Sequence, residues 1–281
     1  MTPSDSDRYI REPEYFHNFF ESWIVEQNQH LQELVHVSKE HEEQQRHEGL
    51  NRRTRTPNDA IMRTLVERVV QHYESYYEEK SSWVKYHALS MFNPSWLSTL
   101  EDAFLWIGGW RPTMAFHLLY TKLGLQLEAR LDEIIRGLMK CDLAELSPGQ
   151  MERVDKLQRE TLKEEKEITE ELAQQQEKVA DASMVELSHT VSEMVSKGAD
   201  ADRVVAEGRL DSVLAPKVEG MVRVLHMADD LRLKTLKKVI GILLPSQGVY
   251  FLIAAAQLHL RVHEWGTKKD AATKVEKLME V

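Results

Sequence analysis

The sequence holds one cysteine, Cys141, in 281 residues. No disulfide can close within the chain, and a reducing compartment is expected. A long hydrophobic run is also missing. The most apolar stretch, VYFLIAAAQL, is about half of what a membrane-spanning helix needs. The opening segment, MTPSDSDRYIREPEYF, lacks the apolar centre of a secretory signal. Basic residues are in deficit, with 36 Lys and Arg against 46 Asp and Glu and a net charge of −10. That excludes a broad nucleic-acid surface. The local exception, NRRTRTP with Arg52, Arg53 and Arg55, reads as a solvated linker. Glycine and proline are few, 12 and 8. No segment alternates with a period of two, no hairpin turn occurs, and no solenoid repeat is found. A soluble intracellular protein, in nucleus or cytoplasm, is expected.

What remains is helix after helix. In EYFHNFFESWIVEQNQHLQELVHV the apolar positions Phe16, Phe19, Phe20, Trp23, Ile24, Leu31, Leu34 and Val35 recur at three and four. Residues 38–58 lose that period and read as a helix end and a linker, which leaves the N-terminal helix free to move as a separate unit. A second helix starts near Pro57, with Asn58 and Asp59 beside it, and breaks at Pro94. Ser98 and Glu101 have capping-box spacing. The spacing predicts a helix from there to Gly108-Gly109. Pro112 suits the first turn of the next helix, and Pro148-Gly149 marks a second corner. The mixed-charge helix that follows has Val154, Leu157, Thr161, Ile168, Leu172 and Val179 near heptad spacing, with Glu165 and Gln175 interrupting the seam. It either joins the bundle or pairs with one neighbour. Residues 197–210 read as a loop. Two further apolar helices follow, divided at Pro245. The fold class is all-α, a bundle of about seven or eight helices. Residues 1–11 are expected to be disordered, 12–270 to form the domain, and 271–281 to form a tail.

Two features carry chemistry. The first is the corner FLWIGGWRP. Gly108 and Gly109 allow a tight close, and Trp106 and Trp110 supply apolar area on either side. Arg111 is placed to stack on an indole or to bond free carbonyls at the preceding helix end, ahead of Pro112. The second is His259 and His263, one turn apart on one helix face beside small residues such as Ala255 and Ala256. That spacing suits one metal ion or an axial position on haem, although Leu260 stands where a zinc peptidase needs glutamate. Two such neighbours cannot bind opposite faces of one ring, so only one could be axial. No nucleophile elbow, P-loop or dinucleotide fingerprint occurs, and Glu164, Glu165 and Glu167 read as a solvated face. No enzyme is expected.

The stretches FFESWIVEQNQHLQEL, WLSTLEDAFLWIGGWRPTMAFHLLY and LLPSQGVYFLIAAAQLHLRVHEWG, with the mixed-charge helix between them, resemble the plant delay-of-germination domain of seed dormancy control. The resemblance spans roughly residues 12–270. The same domain forms the C-terminal part of TGA-type bZIP transcription factors. The resemblance implies a nuclear, non-enzymatic regulator of the abscisic acid response whose partners are type 2C protein phosphatases. It also implies haem binding, with the histidine pair of the family's motif falling on His259 and His263. Phe19, Trp23 and Gln27 are the candidate partner-binding residues. The alternative is a transcription cofactor associated with TGA-type factors and sequence-specific DNA. No basic helix precedes the domain in this sequence, so DNA would be reached through a partner. A homo-oligomer is left open.

Overall fold

The computed structural model describes residues 14–48, 57–122, 146–197 and 200–279. Among them every regular element is helical, as the sequence predicts. Helix α1 spans Glu14–Glu48, α2 Pro57–His87, α3 Thr99–Asp102, α4 Pro148–Glu177, α5 Ala182–Lys197, α6 Asp200–Ile242 and α7 Pro245–Met279. A 3-10 turn at Leu89–Met91 follows α2, another at Lys178–Ala180 follows α4, and residues 114–122 are helical. The starts obey local chemistry. Ser98 caps α3 and Ser147 caps α4, each in a reciprocal capping box, with Glu101 and with Gln150. Pro148 occupies the first turn of α4.

Helix α7 packs on α1, α2 and α3, while α6 packs on α2, α4 and α5. Two apolar clusters result. One gathers Leu34, Met62, Leu65, Phe116, Val154, Val239 and Leu252. The other gathers Phe16, Phe20, Trp83, Met91, Ile168, Val224 and Leu225. Each such side chain, fully buried, contributes roughly 1.5–3 kcal/mol of transfer free energy.

Several boundaries differ from the sequence reading, each for a tertiary reason. Helix α1 continues past residue 38 to Glu48, because Ser38 and His41 are buried and Tyr250 of α7 donates to Glu42 at 2.7 Å. Phe16, Phe20 and Trp23 are buried, so α1 is a wall of the bundle rather than a separate unit. The remainder of the expected linker, 49–56, including Arg52, Arg53 and Arg55, lies outside the described residues, as do residues 1–11 and Cys141. The helix expected up to Gly108 ends at Asp102, leaving an irregular loop through the tryptophans. The loop expected at 197–210 is largely helix, since α6 begins at Asp200. The expected tail, too, is a helical extension of α7 to Met279, exposed over residues 271–277.

Candidate functional site

The double-glycine corner and the histidine helix, far apart in sequence, face one cavity of about 260 Å³. Its walls are mostly aromatic and aliphatic: Phe20 and Trp23 from α1, Tyr76 and Tyr77 from α2, Trp110 from the loop, and His259 from α7 are among them.

The loop is held from inside. Ile107 and Gly108 both adopt left-handed backbone, at φ of +49° and +68°. Glycine tolerates this, and a β-branched isoleucine does so only under constraint. A Cβ at position 108 would also sit 2.4 Å from the Met91 carbonyl oxygen. The constraint is Arg232 of α6, fully buried. Its guanidinium donates to the carbonyls of Trp110 (2.7 Å), Ile107 (2.9 Å) and Trp106, and to Asp229 at 2.5 Å. It also lies 5.3 Å from the centre of the Trp106 ring. Lys80 of α2 adds bonds to the Gly108 carbonyl at 2.7 Å and to Asp229 at 2.9 Å. Burial lowers Lys80 to about 8, with Asp229 pulling the other way.

This corrects the role expected of Arg111. Arg232, not Arg111, bonds the carbonyls and sits at the indole. Arg111 points outward and donates through Nε to Glu165 at 2.7 Å. Glu165 is no solvated carboxylate: it is fully buried and also accepts from the Thr113 backbone N–H at 2.6 Å, just beyond the buried Pro112. Trp106 donates to Thr169 at 3.2 Å and Trp110 to the Tyr77 hydroxyl at 2.8 Å, so both indoles are anchored. Gly109 packs against Arg232, whose guanidinium carbon would lie 2.9 Å from a Cβ there.

The two histidines are brought together with the corner but separated in role. His263 Nδ1 is 3.0 Å from Glu101 of α3, and its ring meets Phe20 edge-on at 5.6 Å. The hydrogen bond to Glu101 raises the His263 pKa despite burial. Burial pushes Glu101 up, but the bonds from His263 and Ser98 outweigh it and leave the carboxyl below its usual value. His259 lines the cavity, 5.5 Å from the Trp23 ring. Burial lowers it to about 4, so it is a neutral imidazole near pH 7.

The candidate partner-binding residues lie inside. Trp23 is buried, donates to the His72 carbonyl at 3.2 Å and stacks on the His72 ring at 4.7 Å. Gln27 is 1% exposed and donates to the Tyr73 hydroxyl at 2.9 Å. Phe19 is half-buried against Phe16 at 5.3 Å. Trp23 and Gln27 therefore shape α1 from within rather than present a surface.

The residues do not fit the haem that the resemblance implies. Only His259 of the pair faces the cavity, while His263 is tied to Glu101. The volume falls below the roughly 300–1,000 Å³ of sites that enclose drug-sized ligands, and a porphyrin is large among these. Among the described residues no group of three or more His, Cys, Asp or Glu could hold a metal ion.

Sequence reasoning missed Arg232, Lys80 and Asp229, and it placed Glu165 on a solvated face. A signal existed: Asp229 and Arg232 interrupt the apolar stripe of α6 at i, i+3, and such interruptions mark buried polar networks.

Among the described residues an all-helical frame surrounds an aromatic cavity, and the buried charges beside it are engaged in holding a loop. A family model, seed dormancy control, matches residues 30–121. The chain is 30% identical over 219 residues to Protein DOG1-like 2 of Arabidopsis thaliana, covering 74% of this chain and 78% of that one. It is 27% identical to Protein RESPONSE TO ABA AND SALT 1 of the same plant, over 72% and 77%. Transcription factor TGA1, also from Arabidopsis thaliana, is 25% identical over 93% of this chain and 58% of its own. The chain belongs to the seed dormancy control (DOG1) family, and its role is that of a plant regulatory protein.

Proposed function

We propose that the protein regulates the abscisic acid response without catalysis, by binding type 2C protein phosphatases in the nucleus. Family membership carries the reading, and the name of one relative couples the family to that hormone and to salt. The chemistry of the site agrees. Lys80, Asp229, Arg232 and Glu165 are all engaged by protein groups, so none is poised as a free acid, base or nucleophile. Trp23 and Gln27 support α1 from inside, and outward residues such as Val25, 57% exposed, are what a phosphatase touches. The test is a pull-down with abscisic-acid-pathway phosphatases. Wild-type protein retains them and Val25→Asp retains less. An empty pull-down at micromolar concentrations of both proteins sinks the reading.

A second reading rests on the likeness to TGA1 over almost the whole chain. The protein acts as a transcription cofactor by pairing its helical domain with that of a TGA-type factor. Co-purification with such a factor, and a DNA shift only when the factor is present, is the expected result.

A further inference from the structure

The cavity is lined by polar residues that the protein does not tie down. Tyr76 and His259 both line it, and no hydrogen bond ties either side chain to another of the described residues. They share one wall, since the Trp23 ring lies 5.0 Å from Tyr76 and 5.5 Å from His259. The cations that reach the cavity are, by contrast, largely engaged. Lys80 and Arg232 together bond four carbonyls and Asp229. An anion entering here would compete with these bonds for Lys80 and Arg232, and the Glu101 carboxylate already lines the wall. Burying an unpaired charge is far more costly than burying an apolar group with one hydrogen bond.

Size narrows the occupant further. A dry cavity of roughly 150 Å³ takes benzene, so about 260 Å³ has room for roughly ten non-hydrogen atoms. The mouth is apolar: Phe104, Met114 and Leu258 line it and are 68%, 40% and 45% exposed. An exposed apolar rim around an apolar hole marks a ligand entrance better than a structural void.

We propose that the cavity between the double-glycine corner and α7 is a binding site for a small, uncharged, mostly apolar molecule bearing one hydroxyl or carbonyl oxygen, which pairs with Tyr76 or His259. Both groups remain neutral near physiological pH: burial raises the Tyr76 hydroxyl well above its usual value and lowers His259 to about 4. The inference goes beyond the partner readings and does not depend on which partner the protein meets.

Calorimetric titration of the whole chain with three probes tests it: 1-naphthol, naphthalene and 1-naphthoate. Saturable binding of 1-naphthol is expected, with 1-naphthoate at least tenfold weaker. Tyr76→Phe or His259→Phe weakens 1-naphthol by roughly three- to tenfold, the range of one neutral hydrogen bond, and leaves naphthalene unchanged. Ala255→Phe, which fills the cavity from α7, removes all three. Should that variant fail to fold by circular dichroism, the Tyr76 and His259 variants carry the test alone. No saturable uptake by wild type overturns the proposal, as does a preference for 1-naphthoate. So does equal loss of naphthol and naphthalene in both single variants. A Soret band on haem titration that vanishes in His259→Ala, with no naphthol uptake, would replace it with a haem site.

Discussion

Arg232 decides the most at the scale of single residues. It satisfies three carbonyls of a loop whose backbone includes a left-handed isoleucine, and it neutralises a buried aspartate. Strain of that kind persists only where surroundings over-determine it. Arg232→Met keeps the volume and removes the donors. It leaves Asp229 with Lys80 as its remaining partner and strips the loop of its bonds. A loss of about 3–5 kcal/mol is expected, the range for breaking a buried pair, read from urea denaturation. Titration belongs at this scale as well. Burial lowers both His72 and His259 to about 4. Unfolded imidazoles bind protons near 6.5. Between those values the unfolded chain takes up more protons, so stability falls as pH drops from 6.5 towards 4. His263 runs the other way: its pKa is raised, so its contribution is full below 6.5 and is lost as pH rises through its folded value. Melting temperatures from pH 4 to 9 should show both flanks. His259→Phe flattens the acid flank, and Glu101→Gln flattens the alkaline one. An unchanged profile in both variants contradicts these assignments.

Helix α3 shows how a short element is held by its neighbours. Four residues cannot sustain a helix alone. Ser98 caps it, Glu101 ties it to His263, and Thr99 donates from its backbone N–H to Asp270 at 2.9 Å. Gly266 permits the approach, because a Cβ there would fall within 1.9 Å of the Ser98 hydroxyl. These three α7 positions, 263, 266 and 270, lie on one face of the helix. Asp270→Asn should weaken this clamp moderately, and Gly266→Val should break it. Faster amide hydrogen exchange confined to residues 99–109, with α2 and α6 unaffected, is the expected reading. Uniform acceleration across the chain would mean that α3 is not a local unit.

At the scale of the whole molecule, the described residues form two apolar clusters with no boundary between them. Helices α1, α2, α4 and α6 each contribute to both: Phe16 and Leu34, Trp83 and Leu65, Ile168 and Leu157, Val224 and Val239. Damage to either cluster should therefore propagate along the same rods. Leu34→Ala and Phe20→Ala, at about 2–5 and 3–5 kcal/mol, should each shift one transition that coincides by far-ultraviolet dichroism and tryptophan fluorescence. Two separated transitions in either variant would show independent units. The cavity sits where this continuous frame meets the loop, and α1, α2, α6 and α7 all supply its walls.

Much of this was legible in one dimension. Helical periodicity, the capping box at Ser98, and the breaks at Pro94, Pro148 and Pro245 depend on neighbours within a few residues, so the chain itself determined an all-α fold with its corners nearly in place. It also singled out Gly108, because few other residues accept that backbone. Tertiary structure decided the rest. Whether residues 38–48 continue a helix depended on α7 lying alongside them. Whether Arg111 or Arg232 serves the tryptophan loop depended on which of them the packing buries, and α6 brings Arg232 to the loop from more than a hundred positions away. The division of labour between His259 and His263 was likewise invisible in their spacing. One meets Glu101 and the other meets a cavity, and only the docking of α3 onto α7 separates a bound imidazole from a free one.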